Sequence, residues 1–258
     1  GSEMCIRDRR STSGCSSADG SEPPLDAGFV APPLLSTIKF VVIVFAVQAM
    51  LLWAVYRTTP DARTGRRRVL LTAGAFALVL AGSAALAESG LLAADPRRAV
   101  AFAAGTNLLV LLLALARPGA ALAAAVAPVY WVLFQGFRLP LEIVLHAWGE
   151  AGTIPLQMTW EGQNLDVVTG ASALLLGAAW LARPRATWLG WIVHALGLVL
   201  LLNVGRIAVL SLPTGFKAFE GPPLLLPFHA PYVWILPFAV AAALFGHVVG
   251  IRGLLKRS

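Results

Sequence analysis

Seven stretches of the chain are apolar for long enough to cross a bilayer as helices: 34–56, 69–92, 99–116, 120–148, 165–182, 187–210 and 231–250. At about 1.5 Å of rise per helical residue, roughly 20 residues cover the hydrocarbon core. The third stretch is the weakest and contains Asn107. The fourth is the longest and holds Pro128 and Pro140, which predict one long helix that tilts or kinks. No internal repeat is visible. The pattern predicts an all-α fold, a polytopic transmembrane helical bundle of about seven spans covering residues 28–258. Residues 1–27 are polar and carry no apolar signal-peptide core, so they read as a disordered tail, native or foreign to the chain.

The charges between the apolar stretches set an orientation. Arg57, Arg63, Arg66, Arg67 and Arg68 follow the first stretch against Asp61 alone; Arg117 follows the third, Arg183 and Arg185 the fifth, and Arg252, Lys256 and Arg257 the seventh. With seven crossings these connections share one side, which the positive-inside rule makes cytoplasmic. The other side carries Glu150, Glu161, Asp166, Lys217 and Glu220, with Arg97 and Arg98 dissenting beside Asp95. The expected topology is N-terminus out and C-terminus in, and the expected location is a bacterial inner membrane.

Composition sharpens this picture. Of 258 residues, 58% are hydrophobic and only 13% charged, about half the charged share of a soluble domain, so most of the surface is expected to face lipid. The net charge of +7 lies in connecting segments, not on a basic face with stacking aromatics, which argues against nucleic acid as a partner and for the bilayer itself. Cys5 and Cys15 both lie in the tail, so the hydrophobic body has no thiol for a disulfide, a metal or nucleophilic catalysis. No metal site or cofactor is expected. His194 and His247 are the one pair that could lie at equal depth as haem ligands, a weak alternative.

Polar residues inside the apolar stretches demand an account, because ionisable groups at membrane depth are expensive. Gln135, Arg138, Glu142 and His146 recur at helical spacing and form one face, on which Arg138 and Glu142 can pair. Helix packing uses the same chemistry, so a structural ion pair is the plain alternative. The connection 149–166 holds Glu150, Trp160, Glu161, Asn164 and Asp166. Its carboxylates could do acid–base work or hold a cation, or the loop could simply satisfy its own backbone. Asn203 and Arg206, three residues apart, end the sixth stretch, and His229 opens the seventh. The topology brings these side chains to one outer level, where they predict a polar pocket whose arginines attract a carboxylate or phosphate.

Three short segments in the C-terminal part match in order, side and rough spacing: Gly170-Ala171-Ser172-Ala173 at a helix opening, Asn203-Val204-Gly205-Arg206-Ile207 at the end of the next, and His229 within FHAPYVW. From Asp166 onward the chain resembles the exosortase and archaeosortase family, membrane enzymes proposed to act as cysteine transpeptidases on sorting signals. The resemblance implies catalytic roles for Arg206 and His229. It also places Ala171 where the family has its nucleophilic cysteine. Acyl transfer through a thiolate is therefore absent at that position. Ser172 or Thr169 could substitute only with a base such as His229 in reach. The segments 135–146 and 155–170 also resemble uncharacterised bacterial multi-pass membrane proteins, a likeness that implies no activity.

The expected function is an exosortase-like membrane protein without the catalytic cysteine, which binds a peptide or an anionic small molecule in its outer pocket. Expected ligand contacts are Gln135, Arg138, Glu142, His146, Glu161, Asn164, Asp166 and Asn203. The alternatives are a transporter or proton-coupled carrier using the Arg138–Glu142 stripe, a sorting peptidase using Ser172, and a scaffold for other membrane proteins.

Overall fold

A computed structural model describes residues 28–256; the polar tail 1–27, with both cysteines, lies outside the described residues. Among the described residues the regular structure is helical throughout. The α-helices are α1 (Leu34–Arg57), α2 (Ala62–Glu88), α3 (Leu91–Ala94), α4 (Arg97–Leu115) and α5 (Arg117–Ala125). They continue with α6 (Pro128–Phe134), α7 (Arg138–Glu150), α8 (Asp166–Ala182), α9 (Trp188–Ser211) and α10 (Ala241–Leu255). Five helices are long and apolar enough to cross a membrane: α1, α2, α4, α9 and the run Tyr232–Leu255 that ends in α10. A sixth is reached if α5 and the run Pro128–Glu150 count as one broken span, and α8, at 17 residues, is shorter.

Two boundaries differ from the sequence pattern for identifiable reasons. The second helix begins at Ala62, so Arg63, Arg66, Arg67 and Arg68 occupy its first two turns instead of a loop. Asp61 caps it by accepting from the Thr64 N–H at 2.8 Å, and that backbone bond holds its carboxyl below the ordinary carboxylate range. The same helix stops at Glu88, because Gly90 takes a left-handed φ of 72° and sets Leu91 and Leu92 in the separate turn α3.

The larger difference is in the fourth apolar stretch. The expected single kinked helix is two pieces: α5 meets the run Pro128–Glu150 at 103°. Val126 is extended at the break, and Pro128 opens α6, where its missing N–H and fixed φ suit a first turn. Pro140 is accommodated in the first turn of α7, after the 3-10 turn Gln135–Phe137.

At the centre stands α10, with α4, α5, α6 and α9 packed around it. Its approach to α6 depends on small residues. A Cβ at Gly246 would meet Phe134 and Gln135, one at Gly250 would meet His194 and Trp131, and one at Gly253 would meet Pro128. Packing between apolar helices in lipid is carried by such close contact, and not by expulsion of water. Before α10, a π turn at Leu236–Val240 takes up Pro237. Outside this centre, α7 is tied to α1 by Trp148 Nε1, which donates to Ser36 Oγ at 3.0 Å, and α6 is tied to α1 by Tyr130 Oη, which donates to Met50 O at 2.6 Å.

Candidate functional site

The residues predicted to share a polar face, Gln135, Arg138, Glu142 and His146, are buried or half-buried along the run Gln135–Glu150, and they take different partners. Arg138 is 1% exposed, at the start of α7. Its Nε donates to Asp166 Oδ2 at 2.5 Å, and its Nη2 is ion-paired with Asp166 Oδ1. The expected direct pair with Glu142 is thus replaced by a two-pronged pair with the first residue of α8. Asp166 holds that place because a carboxylate in a first helical turn also faces the free N–H groups of the helix. The Nη1 of Arg138 donates to Gly197 O at 3.2 Å and lies 3.2 Å from His247 Nε2. The α8 helix closes tightly on this point: a Cβ at Gly170 would strike the Leu139 backbone.

The two histidines the sequence kept apart from the pocket belong to this network. His194 and His247 are both fully buried, with Nδ1 atoms 3.0 Å apart and perpendicular rings. Contact this close leaves no place for a haem iron between them. Arginine only donates, so His247 Nε2 accepts from Arg138. With both rings neutral, His247 Nδ1 carries its hydrogen and donates to His194 Nδ1, and His194 carries its own hydrogen on Nε2. That nitrogen has no hydrogen-bond partner among the described residues and packs where Gly250 leaves room beside Trp131. Arg138 therefore fixes the tautomers of two rings on two other helices.

One turn further along α7, Glu142 is 1% exposed and takes another kind of partner. Asn164 Nδ2 donates to both of its carboxylate oxygens at 3.0 Å and to Met158 O at 3.0 Å. Asn164 Oδ1 in turn accepts from the Asp166 N–H at 3.1 Å, so one amide joins Glu142 to the start of α8. Among the described residues no basic side chain lies within ion-pair distance of Glu142. Gln135, one turn before Arg138, is buried and donates from Nε2 to Ala243 O at 3.2 Å.

The remaining predicted residues fall into separate groups. His146 stacks on Trp160 with ring centroids 4.1 Å apart, and its Nε2 lies 3.7 Å from Glu150 and 3.9 Å from Glu161. Glu161 is largely exposed, so it does not form a carboxylate pair with the buried Asp166. His229 stacks on Phe29, with centroids 3.8 Å apart. Ser172 donates from Oγ back to Thr169 O at 3.0 Å on its own helix. Arg206 is exposed; it donates from Nη2 to Gln163 Oε1 at 2.9 Å and to Asn203 Oδ1 at 3.1 Å. Asn203 Nδ2 donates to Gln163 O at 2.8 Å, so the 155–165 loop holds the end of α9.

A cavity of about 660 Å³ joins three of these groups. It lies between α4 and α9, which both pack on α10, and is floored by residues 235–244 and α7. Its lining is mostly apolar, with Arg138, Glu142, Asp166, Arg206 and Asn107 as its polar members. His146 and His229 stand outside it, whereas the weak third stretch supplies a wall through Asn107. Such a volume is typical of small-molecule sites, which are mostly apolar with a few placed polar groups.

Sequence reasoning missed Gln163, and it paired His194 with His247 as haem ligands without joining them to Arg138. A histidine within an apolar run calls for a partner, and two on facing helices were a usable signal for pairing. Nothing in the sequence said that the partner's other edge meets Arg138. No protein-family model, curated protein or solved structure matches the chain.

Proposed function

We propose that this chain is a seven-crossing membrane protein, N-terminus out, that binds an anionic amphiphile in the cavity between α4 and α9 without covalent chemistry. In this proposal α8 and the run Pro128–Glu150 each cross once, and the exosortase-like C-terminal half, with Ala171 in place of cysteine, serves recognition. The observation that carries it is the state of Arg206. Among the described residues no carboxylate lies within ion-pair reach of its guanidinium, while two amide oxygens, from Gln163 and Asn203, hold it at the cavity. A positioned cation beside an apolar cavity suits a phosphate or carboxylate carrying a hydrocarbon tail.

The test is binding of dodecyl phosphate to the purified full chain in a neutral detergent, measured by native mass spectrometry. A charge-assisted hydrogen bond contributes about 1.5–3 kcal/mol, less at an exposed site, so Arg206→Gln should weaken binding roughly tenfold. Equal binding by Arg206→Gln and the parent chain refutes the proposal. Proton-coupled transport is the alternative that one observation favours, namely a buried Glu142 held by an amide alone. It requires that Glu142→Gln abolish ligand-dependent proton flux in liposomes.

A further inference from the structure

The cavity carries two unmatched polar demands of opposite sign. Arg206 offers a cation with the Nη1 edge of its guanidinium uncommitted, since its recorded bonds leave from Nε and Nη2. Glu142 offers a buried carboxylate whose partner is the neutral Asn164 amide. The other two charges on the lining, Arg138 and Asp166, satisfy each other. A simple anion would meet Arg206 and leave Glu142 in an apolar cavity with its charge unanswered. That charge is costly there unless a donor arrives with the ligand or the carboxyl takes up a proton.

The walls say how such a ligand arrives. Ala104 of α4 and Leu202 and Gly205 of α9 line the cavity and are exposed. The neighbouring exposed side chains are Leu108, Leu109 and Val199, all apolar. Both α4 and α9 pack on α10 and contribute walls to the cavity, and both carry exposed apolar side chains. The small side chains Ala99, Ala103 and Ala104 leave room on the α4 side of the cavity.

We infer that the cavity takes a zwitterionic amphiphile from the bilayer, a phospholipid with a primary-amine headgroup. It enters between α4 and α9, with its phosphate on Arg206, its ammonium on Glu142 and its acyl chain along the Ala99–Ala104 wall. This rests on the anionic-amphiphile proposal above and adds the headgroup amine and the route. A primary ammonium has three donors for the Glu142 carboxylate, whereas a quaternary ammonium has none, and a glycerol headgroup brings hydroxyls but no charge.

The experiment is a competition on the purified, delipidated full chain by native mass spectrometry. It uses chain-matched phosphatidylethanolamine, its N-methylated series, phosphatidylcholine and phosphatidylglycerol, with soluble phosphoethanolamine as a separate arm. The parent chain should prefer phosphatidylethanolamine over phosphatidylglycerol about tenfold, and successive N-methylation should erode that preference stepwise. Glu142→Gln, which keeps an acceptor for Asn164, should bring the two lipids level. Soluble phosphoethanolamine should bind at least about a hundredfold more weakly than the lipid, because apolar burial of the chain is lost. Equal binding of all headgroups by the parent chain overturns the inference even if Glu142→Gln fails to fold, since the methylation series needs no variant. Soluble phosphoethanolamine binding as tightly as the lipid overturns lateral entry. If the headgroups are equal while dodecyl phosphate still depends on Arg206, the amine assignment alone falls; if that dependence is also lost, both proposals fall.

Discussion

Replacing Asp166 by Ala would leave the Arg138 guanidinium 1% exposed without its counter-ion. Removing one partner of a buried pair destabilises by about 3–5 kcal/mol, because the other charge stays desolvated and unanswered. Arg138→Met should cost at least as much. It leaves Asp166 buried and also removes the donors to Gly197 O and His247 Nε2, each worth about 1–3 kcal/mol when a buried acceptor loses its partner. The double variant behaves differently. With both charges gone, the desolvation term disappears, and what remains is about 2–6 kcal/mol for the two orphaned acceptors, a loss that Arg138→Met alone also carries. That shared loss cancels from the cycle, and the coupling is the pair term, at least about 3 kcal/mol. Equilibrium unfolding of the purified chain in mixed micelles, followed by far-UV circular dichroism, measures all four corners of the cycle. Additivity within about 0.5 kcal/mol would refute the reasoning and would mean that water reaches Arg138.

Other parts of the bundle give independent outcomes. Gly250→Val should destabilise the fold by about 1–3 kcal/mol through overpacking, since a Cβ there meets His194 and Trp131; unfolding in the same micelles checks it, and a neutral result would show that the two helices part easily. Asn164→Ala should weaken phosphatidylethanolamine binding about threefold to tenfold while leaving dodecyl phosphate binding unchanged, because it loosens Glu142 and not Arg206; mass spectrometry of both ligands reads it. Trp148→Phe should cost about 1 kcal/mol of stability through the lost bond to Ser36, measured by the same unfolding assay. With cysteine placed singly at His146, His229 and Arg185 and the tail cysteines replaced, a membrane-impermeant maleimide on intact cells should label the first two positions and not the third. Labelling of His146 and His229 from opposite faces would rule out the seven-crossing topology.

The helical class and five of the seven apolar segments, as helices long enough to cross a membrane, were legible because hydrophobic runs of bilayer length leave few other structures. The break at Pro128 was not, because a proline inside an apolar run signals a kink as readily as a new helix start, and only the extended Val126 decides between them. Within the site, spacing placed Gln135, Arg138, Glu142 and His146 on one face, and the structure buries or half-buries all four. It could not assign partners. Arg138 and Glu142 lie four apart and invite pairing, but Arg138 points toward the start of α8, where Asp166 stands with better geometry. Gln163, which holds Arg206 in place, sits in a loop whose fold rests on Gly162 and on backbone bonds such as that from Asn164 N to Thr159 O, features that leave little periodic trace.

The polar seam from Gln135 to Glu150 rises along the 3-10 turn and α7 by about 24 Å, at about 2.0 and 1.5 Å per residue, most of the thickness of a hydrocarbon core. A seam of that length cannot face lipid, and its two ends are closed by different elements. Its deep part, Gln135 and Arg138, is sealed by α8, α9 and α10 through Asp166, Gly197, His247 and Ala243. Its shallow end, His146 and Glu150, meets the 151–165 loop through Trp160 and Glu161. Arg138 and Glu142 both reach the cavity, and of the two only Glu142 has no ion-pair partner among the described residues. The deep seal makes that cavity usable: because Arg138 is committed to Asp166 and to two helices behind it, it cannot swing outward to neutralise Glu142. In the lipid-binding reading proposed above, Glu142 is therefore the acceptor left for a ligand in the cavity that α4 and α9 line.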